Sequence, residues 1–401
     1  MSERGALAGL RVLDLTDLKG HLCARLLADM GADVIKIEPP DGDSARRVGP
    51  FVDDLPHRDR SLFFWFYNLN KRSLTLDLGH PGGAAILRRL AEGADVVIES
   101  FRPGEMARIG LGWDVLHALN SALVLCSIAP FGQSGPYSGY EAEDSVLTAL
   151  SGMLYVNGFP DAAPVRPLGL QAYHSASYYA AIATMCALFA RDSSGEGQYI
   201  DLSMQEATAS AVEHAAATFF GTGEIERRRG SLHWSRFFRI GRCRDGYVMH
   251  CTLGDWTSLL EWVNGDGKAQ DLTDPEWEDV AKRRKDAEHL FDVLDEWVKE
   301  YSRDELLERA QLLRLPYASV RNPEDLFDDD LLLSRGYFRE VEHPELDRTF
   351  RYPGAPYLFT GSPWQVMRRP PLVGEHTGEI LGGELGMSAE ELEALTAEGV
   401  I

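Results

Sequence analysis

Short runs of branched apolar residues alternate with segments of helical period through the first half of the chain, and that alternation restricts it to an α/β architecture. Arg11 to Thr16 (RVLDLT) alternates as a strand, Gly20 to Met30 has helical spacing, and Val34 to Glu38 (VIKIE) is a second strand. Together they make a βαβ unit of ordinary size. Ser73 to Leu78, Pro81 to Glu92 with proline in the first helical turn, and Asp95 to Ser100 repeat the pattern. A short helix over Trp113 to Leu119 leads into a strand over Leu123 to Ile128. Strands joined through helices pair in parallel, so a largely parallel sheet covered on both faces is expected. No G-x-G-x-x-G opens any of these helices, which removes the usual dinucleotide fingerprint.

Residues 131–140 (FGQSGPYSGY) form a Gly/Pro/Ser-rich loop, followed by an apolar run from Ser145 to Val156 and a second loop, Asn157 to Gly169, with three prolines. A long helix is expected from about Ser175 to Arg191, then a strand over Tyr199 to Leu202 and a helix near Met204. From about Gly221 the character changes to a basic turn (Arg227, Arg228, Arg229), an aromatic cluster (Trp234, Phe237, Phe238), a strand pair around Gly246 and charged helices over 255–315. The expected division is a large α/β domain over 1–220, a small α+β domain over 221–340, and a return segment over 341–401 that completes the large domain.

Charge limits the partners. The 401 residues carry 40 Lys and Arg against 62 Asp and Glu, a formal net charge of −22. Phosphate backbones are held by clustered Lys and Arg, so a general nucleic-acid surface is excluded. Most of the excess acid is C-terminal: residues 266–348 hold 24 acids and 13 bases, and 370–401 hold seven acids and no base. The first two-thirds is nearly balanced and can hold an anionic ligand at local basic positions. Five scattered cysteines without a C-x-x-C pair fit a reducing cytoplasm rather than a disulfide framework or a zinc site. The segment MSERGALAG lacks the apolar core of a signal peptide, and the longest helix-like apolar stretch, Ser177 to Ala190, is too short to span a bilayer, so no membrane partner is expected.

Several local sequences go further. LAGLRVLDLT, LLADMGADVIKIEPPDGD, NLNKRSLTLDL, ADVVIESFRPGEMARIGLGW, SGEGQYIDLSMQEA and PLVGEHTGEIL, in that order, resemble the class III (CaiB/BaiF, or formyl-CoA transferase-like) coenzyme A transferases over essentially the whole chain. The resemblance implies a Rossmann-like large domain built from both chain ends, a smaller α+β domain between them, and an interlocked dimer of two threaded rings. It implies acyl-CoA and carboxylic acid substrates and no metal, and the histidines lack ligand spacing such as H-E-x-x-H.

The same resemblance implies CoA contacts at Leu76 and Asp77 near the adenosine, at Ser100, Phe101 and Arg102 after the following strand, and at Arg108 on the next helix. A flat apolar side chain can cover a base, and Arg offers paired, always-charged donors to phosphate. Lys71 and Arg72 add local positive charge, with a structural salt bridge as the alternative reading. Where the family often carries an arginine after the VIKIE-type glutamate, this chain has Pro39.

The larger departure is catalytic. The family's nucleophile is an aspartate just before the long helix, in a context like P-V-R-P-G-x-P-x-A-D; here PVRPLGLQAYHSAS puts Tyr173 in its place. A phenol of ordinary pKa near ~10 is only about 0.1% ionised at neutral pH, so it cannot simply replace a carboxylate. QAYHS, with KG at 19–20, resembles the branch that lacks the aspartate, typified by a benzylsuccinate CoA-transferase-like subunit. The chain is then expected to be the subunit without the nucleophile, paired with a homologous Asp-containing chain. A self-sufficient transferase, as an interlocked homodimer, would need Asp144 as nucleophile or His174 as base. A 2-methylacyl-CoA racemase-like enzyme would need a histidine before the SG motif, where only His117 is available. A non-enzymatic CoA-binding protein is the remaining alternative. The acyl donor and acceptor are not legible, although Trp234, Phe237 and Phe238 would suit a bulky acyl group if they are not simply core.

Overall fold

A computed structural model describes residues 5–401. It divides the described chain into two compact units: residues 5–153, 168–216 and 333–401 form the first, and 154–167 with 217–332 the second. The proline-rich stretch 154–167, expected within 1–220, groups with the second unit, and 333–340 groups with the first.

The first unit is built on six strands, β1 (Arg11–Leu15), β2 (Asp33–Glu38), β3 (Arg72–Thr75), β4 (Val96–Glu99), β5 (Val124–Ala129) and β6 (Tyr199–Ser203). They pair in parallel in the order β3-β2-β1-β4-β5-β6. The order reverses between β1 and β4, which is the doubly wound arrangement. Its helices are α1 (His21–Asp29), α2 (Leu62–Asn68), α3 (Pro81–Ala91), α4 (Glu105–Arg108), α5 (Trp113–Leu119), α6 (Asp144–Leu150), α7 (Met153–Val156) and α8 (Gln171–Ser194).

Strand alternation sorts the core into two layers. Val12, Val34, Val96, Ile98, Val124, Cys126 and Ile128 face α1 and α8, packing on Cys23, Leu27, Ala176 and Ala180. Their neighbours Leu13, Ile35, Leu74, Val97 and Leu125 face α3 and α5, packing on Ile86, Leu87, Leu90 and Leu116. The chain end returns to this second layer through Ile380, Leu381 and Val400, and the Val400 carbonyl accepts the Asp77 N–H at 2.8 Å. Gly20, at the entrance to α1, is required by close approach: a Cβ there would lie 2.5 Å from Thr16 Cγ2. A hairpin of β10 (Phe338–His343) and β11 (Arg348–Pro353) packs on α2, with the His343 ring 4.0 Å from that of Trp65.

The second unit holds a small antiparallel sheet of β7 (Phe238–Cys243), β8 (Gly246–Cys251) and β9 (Ala318–Ser319). Helices Trp256–Gly265, Ala287–Val298 and Arg303–Leu312 cover a core rich in tryptophan: Trp256, Trp262, Trp277 and Trp297. Phe238 packs against that core and Phe237 lines a shallow cavity of the same unit, so packing already accounts for part of the aromatic cluster. Among the described residues no helix is long and apolar enough to cross a membrane.

A charged network lies inside the first unit. Lys71 Nζ, fully buried, reaches Asp14 Oδ2 at 2.7 Å, the His21 carbonyl at 3.0 Å and Asn68 Oδ1 at 3.0 Å. Lys36 from β2 meets Asp43 at 3.0 Å and donates to the Thr16 carbonyl, while Asp14 Oδ1 accepts the Thr16 N–H and hydroxyl. Burial alone would raise the Asp14 carboxyl, but Lys71 and Lys36 overcome it and hold it at about 2. Every polar atom of the pair has a partner, the condition under which a buried ion pair is tolerated. Lys71→Met is expected to lower unfolding stability by about 3–5 kcal/mol, and Asp14→Asn combined with Lys71→Met to lower it by less, because the single change strands a buried carboxylate. Urea denaturation of the three proteins measures both.

Candidate active site

A cavity of about 260 Å³ opens at the C-terminal ends of β1 to β4, lined by Thr16, Asp17, Lys36, Pro39, Leu76, Asp77, Ser100 and Phe101 among others. It lies at the point where the strand order reverses, where loops from β1 and β4 leave in opposite directions and a crevice must form. Ser100 ties those loops together: its hydroxyl accepts the Asp17 N–H at 2.9 Å and donates to Asp17 Oδ1 at 2.9 Å. A second cavity of about 460 Å³ shares Ser100 and Phe101 with the first. It is completed by Lys19, Arg102, Pro130, Tyr140, Glu141 and Glu143.

Of the residues expected to hold a cofactor, Leu76, Asp77, Ser100 and Phe101 line the first cavity, and Arg102 the second. Arg102 is exposed and pairs with Glu141 at 2.6 Å. Arg108 lies on α4, exposed and paired with Glu105 at 2.6 Å; it lines neither cavity. Lys71 and Arg72 fit their alternative reading, structural salt bridges, rather than cofactor contact. Lys71 is enclosed by Asp14, His21 and Asn68 with no exposed surface, so a phosphate cannot reach it. Arg72 begins β3, at the sheet edge opposite the crevice, and its guanidinium is taken up by Asp33, Glu379 and Glu384 at 2.5–2.8 Å. Both serve the fold.

The three residues expected to be catalytic come together at the start of α8, in roles set by their neighbours. Asp144, buried at the first turn of α6, accepts the N–H groups of Ala172 at 2.9 Å and Tyr173 at 3.3 Å. It thereby satisfies two of the open donors at the start of α8. Tyr173 is 3% exposed and its hydroxyl donates to Glu143 Oε2 at 2.7 Å. Burial, and then the Glu143 carboxylate, push its phenol far above the ordinary tyrosine range. His174 Nε2 lies 2.7 Å from the Tyr67 hydroxyl; burial pushes the imidazole down, so the neutral ring accepts that bond. Tyr67 itself is pushed up to about 12 by burial.

Sequence reasoning passed over Glu143 and Glu99. Glu143 sits beside Asp144 and carried no signal of its own, because its partner Tyr173 is distant in sequence. Glu99 closes β4, and its Oε2 accepts the Phe101 N–H at 2.7 Å, which sets the loop that bears Ser100 and Phe101. Burial raises its carboxyl to about 7. A polar residue ending an otherwise apolar strand, DVVIES, was the available signal.

The sequence matches CoA-transferase family III over residues 7–377. The chain belongs to that family. It is 36% identical to the succinyl-CoA:(R)-benzylsuccinate CoA-transferase subunit BbsE of Thauera aromatica, over 98% of this chain and 97% of that protein. It is 32% identical to a formyl-CoA:oxalate CoA-transferase of Streptomyces coelicolor, covering 99% of each. The fold is similar to a CaiB/BaiF family protein from Brucella suis, with a TM-score of 0.85 and 27% identity over 95% of this chain and 99% of that one. The crevice at the strand-order reversal thus belongs to a chain of CoA-transferase family III.

Glu99 provides a test of the crevice's electrostatics. Its folded pKa lies above the unfolded one, so its contribution to stability is present below about pH 4.3 and is lost as pH rises through about 7. Relative to Glu99→Gln, the native chain is expected to lose stability over that window with a slope approaching about 1.4 kcal/mol per pH unit. Denaturant midpoints at pH 4.5 and 7.5 read it directly, and parallel curves would refute it.

Proposed function

We propose that this chain binds an acyl-CoA along the crevice of its parallel sheet and acts as the subunit without the nucleophilic aspartate in a heteromeric transferase. The assembled enzyme moves CoA between carboxylic acids, and a homologous Asp-containing chain supplies the attacking carboxylate. The observation that carries this reading is the state of Tyr173: a buried phenol, donating its proton to Glu143 and held far from ionisation. Both neighbours are held by other partners. Asp144 is engaged in holding the first amides of α8, and His174 is bonded to Tyr67. The relatives support a division of labour, since BbsE is named as one subunit of its enzyme, and alpha and beta subunits are named for the succinyl-CoA–L-malate CoA-transferase of Chloroflexus aurantiacus.

Within the crevice, Leu76 and Phe101 are the apolar surfaces offered to the adenosine, and Ser100 holds their loop. Arg102 and Arg108 are the cations offered to phosphate, each exchanging a surface carboxylate for the ligand. Family III membership implies CoA thioesters as the ligand class. The chemistry needs no group beyond thioester, carboxylate and the protein's own side chains.

The chain purified alone is expected to bind CoA but to show no exchange between succinyl-CoA and a carboxylic acid. Adding a homologous chain that carries the aspartate is expected to produce exchange and a hydroxylamine-trappable acyl-enzyme on that chain. Sustained turnover by the lone chain would remove the proposal. Phe101→Ala and Arg108→Ala are each expected to weaken CoA binding by about tenfold, near 1.4 kcal/mol, with the Arg108 effect shrinking at high salt. Arg72→Ala is expected to lower stability and leave CoA affinity unchanged. Calorimetric titration with CoA separates these three.

A further inference from the structure

Tyr173 is one half of a pair, and the other half is Glu143. We propose that Glu143 is a second determinant of this chain's silence: it keeps the site inactive even when an aspartate is returned to position 173. The inference rests on the reading that an Asp-containing partner performs the chemistry, and it names the residue that confines the reaction to that partner.

The Glu143 carboxylate forms part of the wall of the 460 Å³ cavity that joins the CoA crevice through Ser100 and Phe101. The Tyr173 hydroxyl ends on it at 2.7 Å, so the side chain at 173 points towards Glu143. The cations of that cavity are already matched: Lys19 pairs with Asp17, and Arg102 with Glu141. Asp144 holds the backbone N–H of Tyr173 itself. An acid at position 173 would thus meet Asp144 at its backbone and Glu143 beyond its tip, with two cations against four carboxylates around it. The position is 3% exposed, so burial acts in the same direction as the like charges. Burial has the same effect on Glu99 at the end of β4, whose carboxyl it pushes up to about 7. A protonated acid is a poor nucleophile.

The reaction needs the ionised form. A carboxylate oxygen bonds to the thioester carbonyl carbon, the C–S bond breaks with its electron pair going to CoA thiolate, and a mixed anhydride remains on the protein. Glutamine at 143 would remove one like charge from the surroundings of the new carboxylate, which favours that form.

Full-length Tyr173→Asp, Glu143→Gln and the double variant, each first checked for CoA binding by calorimetry, are incubated with succinyl-CoA and hydroxylamine. The hydroxamate at position 173 is then quantified by mass spectrometry. The double variant is expected to form it at least about tenfold faster than Tyr173→Asp, the change that one pKa unit produces in the minor species. Glu143→Gln alone is expected to form none. Equal rates in the single and double variants would overturn the proposal, as would no hydroxamate from a double variant that still binds CoA. A hydroxamate at Glu143 of the native chain would overturn it and also make Glu143 the nucleophile. If Tyr173→Asp does not fold, Tyr173→Glu, which keeps more of the volume, replaces it in both arms. Exchange by the native chain with its partner does not depend on these variants, so the heteromer reading is judged separately.

Discussion

The buried pair of Asp14 and Lys71 holds together the part of the molecule on which the crevice depends. Asp14 is next to last in β1, where the chain must turn away from the sheet, and its carboxylate fixes that turn through Thr16. Lys71 comes from the entrance to β3 and reaches across to the same carboxylate, also holding the first residue of α1 by its carbonyl. Lys36 and Asp43 extend the network to the end of β2. A charge cluster of this kind is costly to bury and is stable only when complete. Completeness forces β1, β2, α1 and the loop after β2 into one arrangement, and the floor of the first cavity is made from that arrangement.

Above this floor the site is arranged by short local bonds to strand ends. Ser100 joins the loops of β1 and β4 across the reversal of strand order, and Glu99 holds the Phe101 amide. The start of α8 follows the same logic with an opposite chemical result. Asp144 holds the first amides of the helix, Tyr173 is bonded to Glu143, and His174 to Tyr67. The crevice stays open at the strand ends while the side chains at the start of α8 are engaged in hydrogen bonds.

The fold was legible because strand alternation and helix period are written locally. Residues such as Val12 and Leu13, adjacent in sequence, belong to opposite faces of the sheet and to different layers of core, as a period of two requires. Boundaries were less legible where distant residues set them. The long helix was expected from Ser175, but α8 begins at Gln171, because Asp144 supplies a cap that no nearby residue offers. The apolar run over 145–156 separates into α6 and α7 around Gly152, whose φ of +87° interrupts the helix.

By itself the sequence determined the parallel α/β architecture, the resemblance to CoA-transferase family III, and the absence of an aspartate at position 173, since each depends on residue identity and local spacing. Only the tertiary structure decided which cations are available and which acids are engaged. Lys71, Arg72, Arg102 and Arg108 look alike as letters. The first two are enclosed by carboxylates and carbonyls inside the fold, whereas the other two lie at the surface on single partners. The same holds for Glu143 and Tyr173, which are 30 positions apart and become one hydrogen-bonded pair only when α6 and α8 pack together. Charge and nucleophilicity are properties of surroundings, and the surroundings are assembled from residues that the sequence keeps apart.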